Sequence, residues 1–140
     1  MGFFTLELAR LVGDQGKVVA VDIQPRMLQG LNRRARRAGL GQRIETRLTE
    51  GEGLLTRDLS GQVDFAIAFW VVHELPDVER FFADLCESLR PGGKVLVTEP
   101  RGHVSQSSFT EELERASRSD LHVSSRSETR SSLSVVLERT

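Results

Sequence analysis

Apolar and polar positions along the chain fall into two alternating textures, one with helical spacing and one of short continuous runs. Within Gly2 to Val12, Phe4, Leu8, Leu11 and Val12 recur at helical intervals, which predicts an amphipathic helix from almost the first residue, ended by Gly13-Asp14. Gly16 then opens a run of four mostly β-branched residues, Val18 to Val21, too short for a helix and stopped by Asp22. Such a run predicts a buried parallel strand with a carboxylate at its C-terminal edge. Pro25 suits the first turn of a second helix, Pro25 to Ala38, stopped by Gly39 and Gly41.

A weaker alternating strand, Ile44 to Leu48, leads into the acidic, Gly-rich loop Glu50-Gly51-Glu52-Gly53. Val63 to Val72 is the most apolar run and ends at His73-Glu74-Leu75-Pro76. The next helix has Asp77 as a good N-cap and Phe81, Phe82, Leu85 and Leu89 on its apolar face. Pro91-Gly92-Gly93 predicts a tight turn before the buried strand Lys94 to Thr98, stopped by Glu99-Pro100. Phe109, Leu113 and Ala116 allow one more helix, and Leu133 to Leu137 reads as a last strand. The serine-rich segment from Ser119 to Ser132 between them is expected to be a poorly specified strand plus turn.

Strand and helix alternate at intervals that fit crossover connections, so the expected class is α/β, a mostly parallel sheet covered on both faces. At 140 residues the chain is expected to form one domain, with a core that needs neither disulfide nor metal. A net charge of −1 gives no overall pull toward nucleic acid or anionic membrane. No apolar run approaches the roughly 18 residues of a membrane span, and a basic-then-apolar leader is not seen, so a cytoplasmic location is the expectation. Cys86 is the only cysteine, and three scattered histidines make no metal-ligand cluster with it.

Four places converge at carboxyl ends of expected strands or at the first helix's start: Gly2, Asp22, Glu50 to Gly53, and Phe69 to Glu74. Ligands of open α/β sheets bind there, and an acid about 20 residues after a glycine turn commonly holds a ribose. Gly2 stands 20 positions before Asp22. Gly2 is either an anion-accommodating helix start or an ordinary one. Asp22 is either a ligand-binding acid or a cap of the Pro25 helix. Glu52 could hydrogen-bond the exocyclic amine of a base, whereas Glu50 could be merely solvated. His73 is a base, or a histidine that only hydrogen-bonds backbone beside a solvated Glu74. Phe69 and Trp70 are core or pocket wall, and Arg33, Arg34, Arg36 and Arg37 are read as the wet face of a helix.

The segments MGFFTLELARLV, VVAVDIQPRML, VDFAIAFWVVHELPD and LRPGGKVLVTEP resemble, in order and spacing, the class I methyltransferases that use S-adenosylmethionine. The resemblance is to their small-molecule branch of the ubiquinone and menaquinone biosynthesis type, and it runs from Met1 to about Val104. It implies a Rossmann-like sandwich whose sheet ends in an antiparallel strand pair. It also implies that Gly2 is the last glycine of a Gly-x-Gly-x-Gly loop beside the cofactor's methionine part, and that Asp22 binds both ribose hydroxyls. Ile23 would lie against adenine, Glu52 would take the place of an Asp contacting the adenine amine, and Phe69 would lie near the sulfonium. In the family, a first central strand precedes the glycine loop, between the strands that are here Val18 to Val21 and Val63 to Phe69. This chain begins after it, so an N-terminally incomplete domain with two strand edges left unpaired is expected.

The leading functional expectation is methyl transfer from S-adenosylmethionine to a small-molecule acceptor, with His73 as base where the nucleophile must lose a proton. The alternative is a truncated, non-catalytic remnant or interaction module that binds no cofactor and dimerises through the open sheet edge. A nicotinamide-dependent oxidoreductase is disfavoured, because a pyrophosphate would need the missing glycines even more.

Overall fold

The computed structural model describes residues 3–51 and 53–140. Gly2 and Glu52 lie outside the described residues, so the expectations for them are neither met nor corrected by the fold. The chain separates into two compact units, Met1–Leu55 and Thr56–Thr140.

In the first unit, α1 (Phe3–Leu11), β1 (Val18–Asp22), α2 (Pro25–Arg37) and β2 (Ile44–Leu48) form a small α/β layer. β1 and β2 pair in parallel from Val18 opposite Ile44 to Asp22 opposite Leu48, with α2 as the crossover. α2 starts on Pro25, whose missing N–H costs nothing at that position. It ends in a Schellman motif: Gly39 has φ +72°, its N–H bonds the Arg36 carbonyl, and the Leu40 N–H bonds the Ala35 carbonyl. That turn drops Leu40 into a core with Ala9, Leu31, Ala35 and Ile44, against which Leu6, Val18 and Ala20 pack. Arg33, Arg34, Arg36 and Arg37 are on the exposed face of α2, as its pattern requires.

β1 is not the buried strand that its apolar run suggests, since all five of its residues are only half-buried. The reason is topological: β2 is its only ladder partner among the described residues, so its other edge has no neighbouring strand to cover it. Close packing elsewhere in this unit is tight. A Cβ on Gly16 would stand 2.4 Å from both the Cβ and the carbonyl oxygen of Val12. Gly16→Ala is therefore expected to lower the unfolding free energy by about 1–2 kcal/mol, read from the denaturant midpoint, because the strained neighbour is backbone and cannot rotate away.

The second unit holds β3 (Val63–Phe69), α3 (Val78–Ser88), β4 (Leu89–Pro100), α4 (Gln106–Ser117), β5 (Leu121–Glu128) and β6 (Ser132–Arg139). Its sheet has the order β3-β4-β6-β5, parallel between β3 and β4 and antiparallel across β6 and β5. Asp77 caps α3 by accepting from the Arg80 N–H at 2.9 Å, and Ser105 caps α4 through the Ser108 N–H at 3.1 Å. The Pro91-Gly92-Gly93 turn is a bulge inside β4 rather than a boundary before it. Val63 faces Leu89 and Phe65 faces Lys94, so the four residues Arg90 to Gly93 stand against Asp64 alone, and Gly92 takes φ +76°.

The core here is Phe82, Leu85 and Leu89 with Val95, Val97, Leu121, Leu133, Val135 and Leu137. The serine-rich stretch does form a strand, β5, exposed everywhere except Leu121. Polar and charged side chains on such an edge discourage pairing with another chain. β3 is the opposite edge, and Phe65 and Phe69 on it remain exposed.

Candidate functional site

The first unit presents Asp22 and Ile23 at the carboxyl end of β1. The N-cap position of α2 is Gln24, whose side chain makes no capping bond, so Asp22 is not the helix cap. Its Oδ1 instead accepts from the Gln24 N–H at 2.8 Å, an Asx-type turn that fixes the carboxylate at the strand end. Ile23 follows with 63% of its surface exposed, an apolar side chain held out of the core beside a fixed acid. A carboxylate that can accept two hydroxyl protons, next to an uncovered aliphatic surface, fits a ribose and the flat base attached to it. Glu50 is exposed on the following loop, while Thr49 is buried and bonds the Gly53 carbonyl at 2.7 Å.

The second unit presents the carboxyl end of β3. Phe69 and Trp70 stack at 4.9 Å between ring centroids, and both are exposed, which excludes the core reading. Trp70 takes φ +55°, costly for a bulky residue, and is held there by its N–H bond to the Thr98 carbonyl at 2.7 Å. The chain then makes a short 3-10 turn, Val72–Glu74.

His73 in that turn does not merely bond backbone at a strand end. Its Nδ1 is paired with Oε2 of Glu99, near the end of β4, and its ring stacks on His103 at 6.0 Å. Glu99 is completely buried, and its Oε1 accepts from the buried Val72 N–H at 2.9 Å. Glu74 is solvated, as expected, with Oε1 at 3.8 Å from His73 Nε2.

The sequence reading passed over Glu99, taking it as a strand stop. The available signal is its place at alternate positions with Val95 and Val97, which turns its side chain to their buried face. Glu112 on α4 was also missed; it is buried, and its Oε2 has no hydrogen-bond partner among the described residues. Burial, reinforced by the nearby charge of Glu99, pushes the Glu112 carboxyl up to about 7, while Arg115 pulls it down. Burial also pushes the Cys86 thiol up, which keeps it unreactive.

Residues 1–93 match the family model described as Methyltransferase domain. The chain belongs to that methyltransferase family. It is 36% identical over 98 residues to the ubiquinone/menaquinone biosynthesis C-methyltransferase UbiE of Hahella chejuensis (strain KCTC 2396), a match covering 70% of this chain and 39% of that protein. It is 29% identical over 92 residues to the demethylmenaquinone methyltransferase of Desulfitobacterium hafniense (strain Y51), covering 66% of this chain and 36% of that one. The chain thus spans less than half the length of these curated relatives. Among solved structures, a SAM dependent methyltransferase from Aquifex aeolicus aligns with TM-score 0.85 at 20% identity, covering 99% of this chain and 77% of that one. The fold is accordingly the Rossmann-like one, mostly parallel with a C-terminal antiparallel pair, and the UbiE-like branch inferred from the four segments is the branch of these relatives.

Proposed function

We propose that this chain serves the transfer of a methyl group from S-adenosylmethionine to a small-molecule acceptor. The carrying observation is Asp22, a strand-end carboxylate fixed by the Gln24 N–H beside the exposed Ile23. When bound, the sulfonium supplies an already activated methyl group, so the protein's task is to position, desolvate and, for some acceptors, remove a proton. Asp22 would accept from both ribose hydroxyls, Ile23 would cover adenine, and Phe69 would lie beside the sulfonium. Gly2 and Glu52, outside the described residues, belong to the same proposal: Gly2 beside the methionine part and Glu52 on the adenine amine. His73 is the base. The family match across residues 1–93 runs through both compact units, which supports reading 1–140 as one methyltransferase domain.

The acceptor class is supported by the names of the quinone-pathway relatives. A cytoplasmic location, with neither nucleic acid nor membrane as partner, belongs to the same proposal; the near-neutral net charge of −1 gives no general attraction to nucleic acid or anionic lipid. Among the described residues no helix is long and apolar enough to cross a membrane.

Calorimetric titration with S-adenosylmethionine and S-adenosylhomocysteine tests the reading. Asp22→Ala is expected to weaken both by about tenfold or more, the scale of losing charge-assisted hydrogen bonds. A second reading is favoured by the strand edges of β1 and β3, which lack a ladder partner among the described residues: a non-catalytic module that pairs with a second copy through them. A folded chain that binds neither compound and sediments as a dimer would select that reading over methyl transfer.

A further inference from the structure

We propose that Glu99 is a positioning residue for proton removal, holding the His73 imidazole so that Nε2 is the proton acceptor. The inference rests on the methyltransferase reading for its purpose, but its geometry lies wholly within the second unit. Glu99 has two oxygens and, among the described residues, a partner for each. Oε1 takes the Val72 N–H at 2.9 Å and Oε2 faces His73 Nδ1. A carboxylate only accepts, so the neutral imidazole bonded to it carries its proton on Nδ1 and its lone pair on Nε2.

The two ring nitrogens also differ in surroundings. Nδ1 meets a carboxylate with no exposed surface, whereas Nε2 is turned toward the largely exposed Glu74. The His73 side chain keeps 21% of its surface accessible. His103 stacked on the ring and the Val72–Glu74 turn tied to β4 restrict its rotation.

A second buried acid, Glu112, lies near Glu99. Both acids are buried, but Glu99 is supplied with donors, while Glu112 Oε2 has no partner among the described residues. The raised proton affinity of Glu112 follows, burial first and the Glu99 charge second. Arg115, the remaining charged group acting on Glu112, opposes that rise.

In the step this serves, the bond between an acceptor's nucleophilic atom and hydrogen breaks and the proton goes to Nε2. The electron pair stays on the nucleophile to bond the incoming methyl carbon, and sulfur retains the pair of the bond it loses. One positive charge enters with the donor and one remains, on the imidazolium beside the Glu99 carboxylate, where it is stabilised.

Glu99→Gln is the informative variant, because it preserves shape and changes one donor. The Val72 N–H still requires an acceptor, so the amide oxygen stays on it and the amide NH2 faces Nδ1. The ring must then accept at Nδ1 and carry its proton on Nε2. Nitrogen-15 NMR of the imidazole is expected to show Nδ1–H in the native chain and Nε2–H in the variant. Diethyl pyrocarbonate, which attacks an unprotonated ring nitrogen, is expected to modify His73 about tenfold more slowly in Glu99→Gln, followed by peptide mass spectrometry. Affinity for S-adenosylmethionine is expected to be unchanged.

A native chain with its proton on Nε2, or equal His73 reactivity in the two proteins, overturns the proposal. The native tautomer decides alone if the variant fails to fold. Neither readout needs cofactor or acceptor. A chain that binds no S-adenosylmethionine but shows the Nδ1–H tautomer therefore rejects the methyl-transfer reading while leaving the positioning geometry standing.

Discussion

Phe82→Ala lowers the unfolding free energy by about 3–5 kcal/mol, the scale for removing a buried aromatic ring and leaving a cavity. Phe82 is completely buried on the inner face of α3, in line with Val78, Leu85 and Cys86. Its ring meets Phe81 edge-on at 5.3 Å, and Phe81 itself is only half-buried. The loss would consume a large share of the 5–15 kcal/mol typical of a folded domain, about. Trp70, the only tryptophan, lies in the same unit, so its fluorescence during urea unfolding reports the transition. Phe81→Ala is the control, with a loss under about 2 kcal/mol, since less apolar surface leaves the core. Equal losses would show that α3 does not anchor through Phe82.

Glu112 makes stability depend on pH in a direction unusual for a carboxyl group. Its ordinary value of 4.5 is raised to about 7 in the folded chain, by burial first and then by the Glu99 charge. Between those values the native state binds more protons than the unfolded state, so stability falls as pH rises. The contribution is fully present below the unfolded value and is lost as pH passes through the folded one. Allowing for partial solvation, this amounts to about 2–3 kcal/mol. Glu112→Gln cannot ionise and removes this component. Relative to the native chain it is therefore expected to gain about that amount at pH 8 compared with pH 4.5, measured by urea midpoints at both values. An identical pH dependence in the two proteins would show that Glu112 is solvated in the fold. Glu99→Gln alters the same dependence from the other side, because it removes the charge that reinforces the effect.

What links these results to function is the end of β4. Val95, Val97 and Glu99 share one buried face, so the strand that carries the core also carries the carboxylate that fixes His73. Asp22 plays a comparable part at the end of β1, where a single backbone N–H sets the direction of a carboxylate.

The elements themselves were largely legible in the chain's pattern. Four apolar residues before Asp22, the Pro25 start, the Gly39 stop and the Asp77 cap each act within a few residues, and each appears where expected. β5 was only weakly legible, because serine and arginine on an exposed edge leave no alternation to read. The bulge at Arg90 to Gly93 was read as a turn, since local sequence reports the tight bend but not whether the ladder continues beyond it. Asp22, Phe69 and Trp70 were singled out from strand ends alone; the exposure of the two aromatic rings and the partner of His73 were not legible there.

That difference marks the division between the two sources. By itself the sequence determined the order of strands and helices, their caps and stops, and the family, because these depend on spacing and turn chemistry within short windows. Only the tertiary structure decided that every residue of β1 is no more than half-buried, that Trp70 is held exposed, and that Glu99 meets a histidine 26 residues away. Burial, ladder pairing and the ionisation of Glu112 depend on which distant segments pack together, and no local pattern encodes that.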